Sequence, residues 1–133
     1  MKVVINKCYG GFSLSYKGVM KYAELKGIEL YPYIDEIHKE VYKEKATLDN
    51  PSVLVHYSTV PVKNKDELNK NYFSDRDIAR TDGFLIKTIE LLGDRVNNRC
   101  SKLEIVEIPD GVEWQIEEYD GIEWIAEKHR TWE

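Results

Sequence analysis

The chain has 133 residues, a size that fits one domain able to bury about two-thirds of the surface its unfolded form exposes. Hydrophobic residues make up 42% and charged residues 32%, a balance that argues against a disordered chain, and no window approaches the roughly 18 apolar residues of a spanning helix. A net charge of −5 and a pI near 5.3 oppose extended DNA or RNA as a partner, and no membrane partner is expected. The opening Met1-Lys2-Val3-Val4-Ile5-Asn6 turns polar after three aliphatic residues and carries no secretory core, so a cytoplasmic location is expected.

Residues 2–6 are a β-branched run, broken by Gly10-Gly11, so a strand leads into a tight loop. Ser13 or Ser15 then caps a helix from Tyr16 to Lys26, which Gly27 stops. Residues 28–34 alternate like a strand, and Pro32, which has no N–H for a ladder, predicts an edge position. The charged segment 35–45 is ambiguous, and residues 52–59 alternate as a half-buried strand. Residues 62–71 lack an apolar period and are expected to form an exposed loop. Thr81-Asp82 then precedes the apolar series Phe84, Leu85, Ile86, Ile89, Leu91 and Leu92, a capped amphipathic helix ending at Gly93.

Residues 102–108 read as a strand that Pro109-Asp110-Gly111 stops. A short echo follows: Asp110-Gly111-Val112-Glu113-Trp114 and Asp120-Gly121-Ile122-Glu123-Trp124 share one pattern, ten positions apart. Each begins with a turn dipeptide and continues as an alternating strand, so the two form neighbouring hairpin strands. Alternation puts the aliphatic residue and the tryptophan on one face, with Trp114 and Trp124 in the core, and the glutamate on the other. With no linker-like stretch, residues 1–133 are expected to be one α+β domain, an antiparallel meander sheet packed with two to three helices.

Chemistry-bearing residues are few. Cys8 and Cys100 form no CxxC pair, and His38, His56 and His129 stand singly, so neither a metal site nor a cofactor is expected and an enzyme reading has no support. The Gly10-Gly11 loop is either a steric necessity of the turn or a phosphate cradle. Arginine is sorted: Arg76, Arg80, Arg95 and Arg99 share one segment, and Arg130 stands alone near the end. Tyr72 and Phe73 precede these arginines, Asn97 and Asn98 adjoin Arg99, and Trp132 follows Arg130, a set suited to stacking a base, clamping phosphate and reading polar edges. The competing reading makes Phe73 core, the asparagines helix caps, and the arginines partners of Asp75, Asp77, Asp82 and Asp94. From residue 104 to 133 the chain is strongly acidic, which suits a solvated acidic face.

Three stretches carry a resemblance: Lys2-Val3-Val4-Ile5-Asn6-Lys7-Cys8-Tyr9-Gly10-Gly11-Phe12; Tyr72-Phe73-Ser74-Asp75-Arg76-Asp77-Ile78 with Arg80 and Asp82; and Val106-Glu107-Ile108-Pro109-Asp110 through Glu127-Lys128-His129-Arg130-Thr131-Trp132. Together they span nearly the whole chain and resemble the Thoeris anti-defence sponge proteins of phages and prophages. Gly83 and Asn97-Asn98 depart from that pattern, which has proline at the first position and a small residue with glycine at the second. The resemblance implies a protein that binds a cyclic ADP-ribose isomer made by bacterial TIR-domain enzymes and sequesters it uncleaved. It implies a homodimer or larger assembly with the ligand where subunits meet. It also implies Phe73, Arg99 and Arg130 as the residues that reach ligand, with Arg76, Arg80 and Asp82 next; Asn97 joins the candidate ligand-binding set through its place beside Arg99 and not through the resemblance. Arg130→Ala or Phe73→Ala is then expected to weaken binding and leave melting nearly unchanged. Two other readings stay open: an enzyme that cleaves a cyclic nucleotide, and an acidic inhibitor that docks on a host protein.

Overall fold

The structure is a computed structural model that describes residues 1–34, 43–44, 55–98 and 100–128. Its class is α+β, and among the described residues every strand pair is antiparallel. The described strands are divided among three sheets. β1 (Lys2–Asn6) pairs with β6 (Leu103–Glu107); β2 (Tyr31–Ile34), β3 (Lys43–Glu44), β4 (Val55–Ser58) and β5 (Tyr72–Phe73) form a sheet in the order β3-β2-β4-β5; and β7 (Trp114–Tyr119) with β8 (Ile122–Glu127) forms a hairpin.

Helix α1 (Tyr16–Lys26) starts where the Ser15 hydroxyl accepts the Gly18 N–H and ends at Gly27, whose left-handed backbone (φ +79°) suits glycine. It buries Gly18, Val19, Tyr22 and Ala23. Helix α3 (Gly83–Leu92) begins at Asp82, whose carboxylate accepts the N–H groups of Phe84 and Leu85, and it buries Leu85, Thr88 and Ile89. These faces meet β1 and β6 in one core that also holds Phe12, Leu14, Leu30, Tyr57 and Val96. Close packing at Gly18 is specific, since a β-carbon there would sit 3.1 Å from the Val96 side chain and 3.3 Å from Leu14.

Two expectations about the elements change. Residues 62–71 contain a short helix, α2 (Lys65–Lys70), rather than only a loop. The Asn64 side chain caps it by accepting the Glu67 N–H at 2.9 Å, while Glu67 reaches back to the Lys63 N–H at 2.8 Å. That reciprocal cap anchors a helix too short to show an apolar period, and Leu68 joins Val62 and Tyr33 in a second small core. The second change concerns β2, which lies between β3 and β4 instead of at an edge. Among the described residues β3 pairs with Tyr33 and Ile34, and the described partner of Pro32 is Tyr57 of β4.

The hairpin forms as the repeat implies. Asp120 (φ +50°) and Gly121 (φ +88°) make the two-residue turn, and Tyr119 faces Ile122 across it. Its burial pattern, however, is inverted on β8. Glu123 is 4% exposed and Trp124 is 39% exposed, its indole N–H donating to Glu117 at 3.0 Å. The reason lies across the interface, where β1 and an arginine supply donors that only a carboxylate satisfies.

Candidate functional site: a cleft between the glycine loop and the hairpin tip

β1 pairs with β6 along one edge and leaves two N–H groups facing the other way. The Val4 N–H donates to the Arg80 carbonyl at 2.8 Å, and the Asn6 N–H donates to the Glu123 carboxylate at 2.8 Å. Glu123 therefore completes a sheet edge in place of a strand. It also receives the Arg80 guanidinium in a two-pronged pair at 2.5 and 2.8 Å, while that guanidinium lies 3.8 Å over the Phe12 ring. Asn6 is fully buried and fully bonded: its amide donates to the carbonyls of Cys8 and Gly121, and its side-chain oxygen accepts the Lys102 N–H.

These bonds bring the hairpin turn against the glycine loop. The Gly10 N–H donates to the Asp120 carbonyl at 3.3 Å. A β-carbon on Gly121 would collide with the backbone nitrogens of Gly10 and Gly11, and one on Gly10 would lie 2.8 Å from the Cys100 β-carbon. Gly10 has φ +107° and Gly11 φ +92°, so the loop needs glycine for both conformation and approach. The steric reading of the doublet is thus satisfied, and the Gly10 N–H is already engaged within the protein.

Between the loop and the turn lies an open cleft of about 460 Å³, within the range of small-molecule sites. Phe12, Arg76 and Arg80 line its body side, and Glu118, Asp120 and Glu123 line its hairpin side. Arg80 and Glu123 neutralise each other. That leaves one free cation, Arg76, facing two exposed carboxylates, with no hydrogen bond or ion pair for any of the three side chains among the described residues.

Of the residues singled out in the sequence, Arg76 and Arg80 meet in this cleft. The others take different places. Phe73 on β5 is half-buried against the core, its ring 6.4 Å from that of Tyr22. Asp82 caps α3 and accepts the Tyr22 hydroxyl at 2.8 Å. Burial, the largest influence, raises the Tyr22 pKa; the Lys26 contact lowers it and Asp82 raises it further. Asn97 accepts the Leu103 N–H at 2.7 Å, and Asn98 bonds Ser13 and Cys100, so both shape the approach to β6. Arg99 and Arg130 lie outside the described residues, as do His38 and His129.

The sequence reading missed Glu118 and Asp120 as cleft residues and Glu123 as the buried partner of Arg80. The signal available was the repeat itself: a turn placed by Asp120-Gly121 must bring its neighbours to whatever the hairpin tip contacts. Among the described residues no group of three or more histidine, cysteine, aspartate or glutamate side chains is arranged to hold a metal, and no helix is long and apolar enough to cross a membrane. Comparison with protein-family models, with curated proteins and with solved structures gave no match.

Proposed function

We propose that this protein is a phage or prophage anti-defence protein of the cytoplasm of its bacterial host. In this reading it binds a cyclic ADP-ribose signal made by TIR-domain enzymes, holds it uncleaved, and so keeps the immune effector inactive. The sequence resemblance supports the reading over nearly the whole chain. The structural observation that carries it furthest is the cleft beside Arg76, a guanidinium with no ion-pair partner among the described residues and able to take a phosphate in bidentate fashion next to the glycine loop. The cleft is open on its outer side, which suits completion by a second subunit of a homodimer or larger assembly, the arrangement the resemblance implies. Sequestration requires tight binding and no bond cleavage, so charge-assisted contacts and stacking in a desolvated interface are sufficient means.

The acidic hairpin favours one other reading. Residues 112–128 hold six carboxylates against one lysine, a balance of −5 that equals the charge of the whole chain, so the remaining residues balance at zero. Five of the six, all but the buried Glu123, reach the surface, and a face so charged, with Tyr119 70% exposed, suits an inhibitor that docks on a basic host protein.

The deciding experiment incubates the full chain with the cyclic ADP-ribose isomers made by a TIR-domain enzyme, filters away free ligand, heats the protein and analyses what is released. Intact nucleotide, depleted from the filtrate and recovered on heating, is the expected result. Altered nucleotide would mean an enzyme, and ligand left wholly in the filtrate would overturn the nucleotide reading in favour of a protein partner.

A further inference from the structure

We infer that the cleft holds its ligand by two ends: Arg76 takes a phosphate, and the carboxylates of Glu118 and Asp120 take vicinal ribose hydroxyls. This rests on the nucleotide reading and specifies which groups read which part of the ligand.

Arg80 is not the phosphate clamp, although it lines the same cleft. Its fork is filled by Glu123 at 2.5 and 2.8 Å, its face covers Phe12, and one nitrogen also donates to the Val4 carbonyl at 3.3 Å. A phosphate that captured this guanidinium would leave Glu123 buried without its cation, an outcome that costs more than the new contact returns. Arg76 sits four residues earlier in a 3-10 turn, where the Ser74 hydroxyl accepts its backbone N–H at 3.3 Å. Its side chain is exposed and makes no ion pair among the described residues. A fixed backbone bearing a free fork is what bidentate phosphate recognition uses.

The opposite wall carries the second half of the argument. Glu118 lies directly across from Glu123 in the hairpin register, so both side chains project from the body-facing side. Asp120 sits in the turn, whose backbone the Gly10 N–H holds. Ionised carboxylates only accept hydrogen bonds. An anion alone therefore meets two repelling groups for one free arginine, whereas a ligand that also brings paired hydroxyl donors satisfies both walls. A ribose phosphate ester has that polarity, and bare pyrophosphate lacks it.

The test measures, by titration calorimetry on the full chain, the affinity of three probes: a TIR-made cyclic ADP-ribose isomer, ADP-ribose and inorganic pyrophosphate. Arg76→Gln is expected to weaken all three by tenfold or more. The double variant Glu118→Gln/Asp120→Asn is expected to weaken the two ribose-bearing probes about tenfold and to tighten pyrophosphate. All three residues are exposed, and asparagine accepts the positive φ of the turn, so melting curves matching the parent are the folding control. A double variant that shifts all probes in the same direction, or an Arg76→Gln protein with parental affinity, would overturn the two-ended cleft. Binding of the cyclic isomer that ignores both variants would overturn the cleft and leave the sponge reading standing. The expected pattern for ADP-ribose and pyrophosphate without any binding of the cyclic isomer would keep the cleft and overturn the sponge. Binding of none of the probes would overturn both.

Discussion

Glu123 and Arg80 form the junction between the β7–β8 hairpin and the body, the carboxylate taking both guanidinium nitrogens while also closing the edge of β1 through the Asn6 N–H. The two side chains are 5% and 22% accessible. Removing one partner of a buried pair leaves a charge without compensation, so Arg80→Ala and Glu123→Ala are each expected to cost about 3 kcal/mol. The double change Arg80→Met/Glu123→Leu removes both charges and is expected to recover part of that loss. Thermal denaturation of the three variants checks this. Unchanged melting in the single variants would mean that the pair does not hold the hairpin, and would free Arg80 for a ligand.

Gly121 and Gly11 face each other at the hairpin tip but differ in what a side chain would meet. At Gly121 a β-carbon strikes the backbone of Gly10 and Gly11 and must also adopt φ +88°, whereas at Gly11, with φ +92°, no atom lies within 4 Å. Gly11→Ala is expected to cost about 1 kcal/mol through backbone strain alone, and Gly121→Ala clearly more because the turn has to withdraw from the loop. Hydrogen exchange at the Gly10 amide, which donates to Asp120, should accelerate in Gly121→Ala. Equal destabilisation by the two substitutions would remove the contact from the account.

Phe73 and Asp82 meet at one residue, Tyr22, the first through its ring and the second through the hydroxyl. Asp82→Ala deprives two helix N–H groups and a phenol of their acceptor and is expected to cost about 1–2 kcal/mol. Phe73→Ala, at a half-buried site, is expected to cost about 2 kcal/mol. This packing revises the expectation that Phe73→Ala leaves melting unchanged. Urea unfolding of each variant without ligand is the measurement, and parental midpoints in both would return the two positions to a purely ligand-facing role.

What the sequence disclosed and what it hid follow from the range of the interactions. β1, α1, α3, β6 and the hairpin are set by local chemistry: β-branched runs, Ser15 and Asp82 caps, glycine stops and an Asp-Gly turn. Helix α2 was also local, but its signal was the reciprocal Asn64–Glu67 cap rather than a period. The inversion at Glu123 and Trp124 was not local. Alternation alone puts a tryptophan inside, and only the donors of Asn6 and Arg80, 117 and 43 positions away, make the carboxylate the better buried group. The cleft has the same character, since Arg76 and Asp120 line its opposite walls although 44 positions separate them in the chain, and no short pattern records that approach.

Asp75 gives a pH test of the loop that leads into α1. Its carboxylate accepts the Leu14 N–H at 2.7 Å in a partly buried position. Burial is the largest influence on its pKa and raises it, against the Leu14 N–H and the Arg76 charge, which lower it. With the folded pKa above the unfolded one, the folded state binds the proton more tightly between the two values. This contribution is therefore fully present below the unfolded pKa and is lost as pH rises through the folded one. Asp75→Asn keeps an acceptor for Leu14 and removes the titration. Urea midpoints of parent and variant, followed upward from pH 3, are expected to diverge, the parent losing stability relative to Asp75→Asn and the variant being at least as stable at pH 7. The other carboxylates cancel in this difference. A parent–variant gap that stays constant across the range, or that widens in the parent's favour, would show that the Leu14 bond and Arg76 outweigh burial.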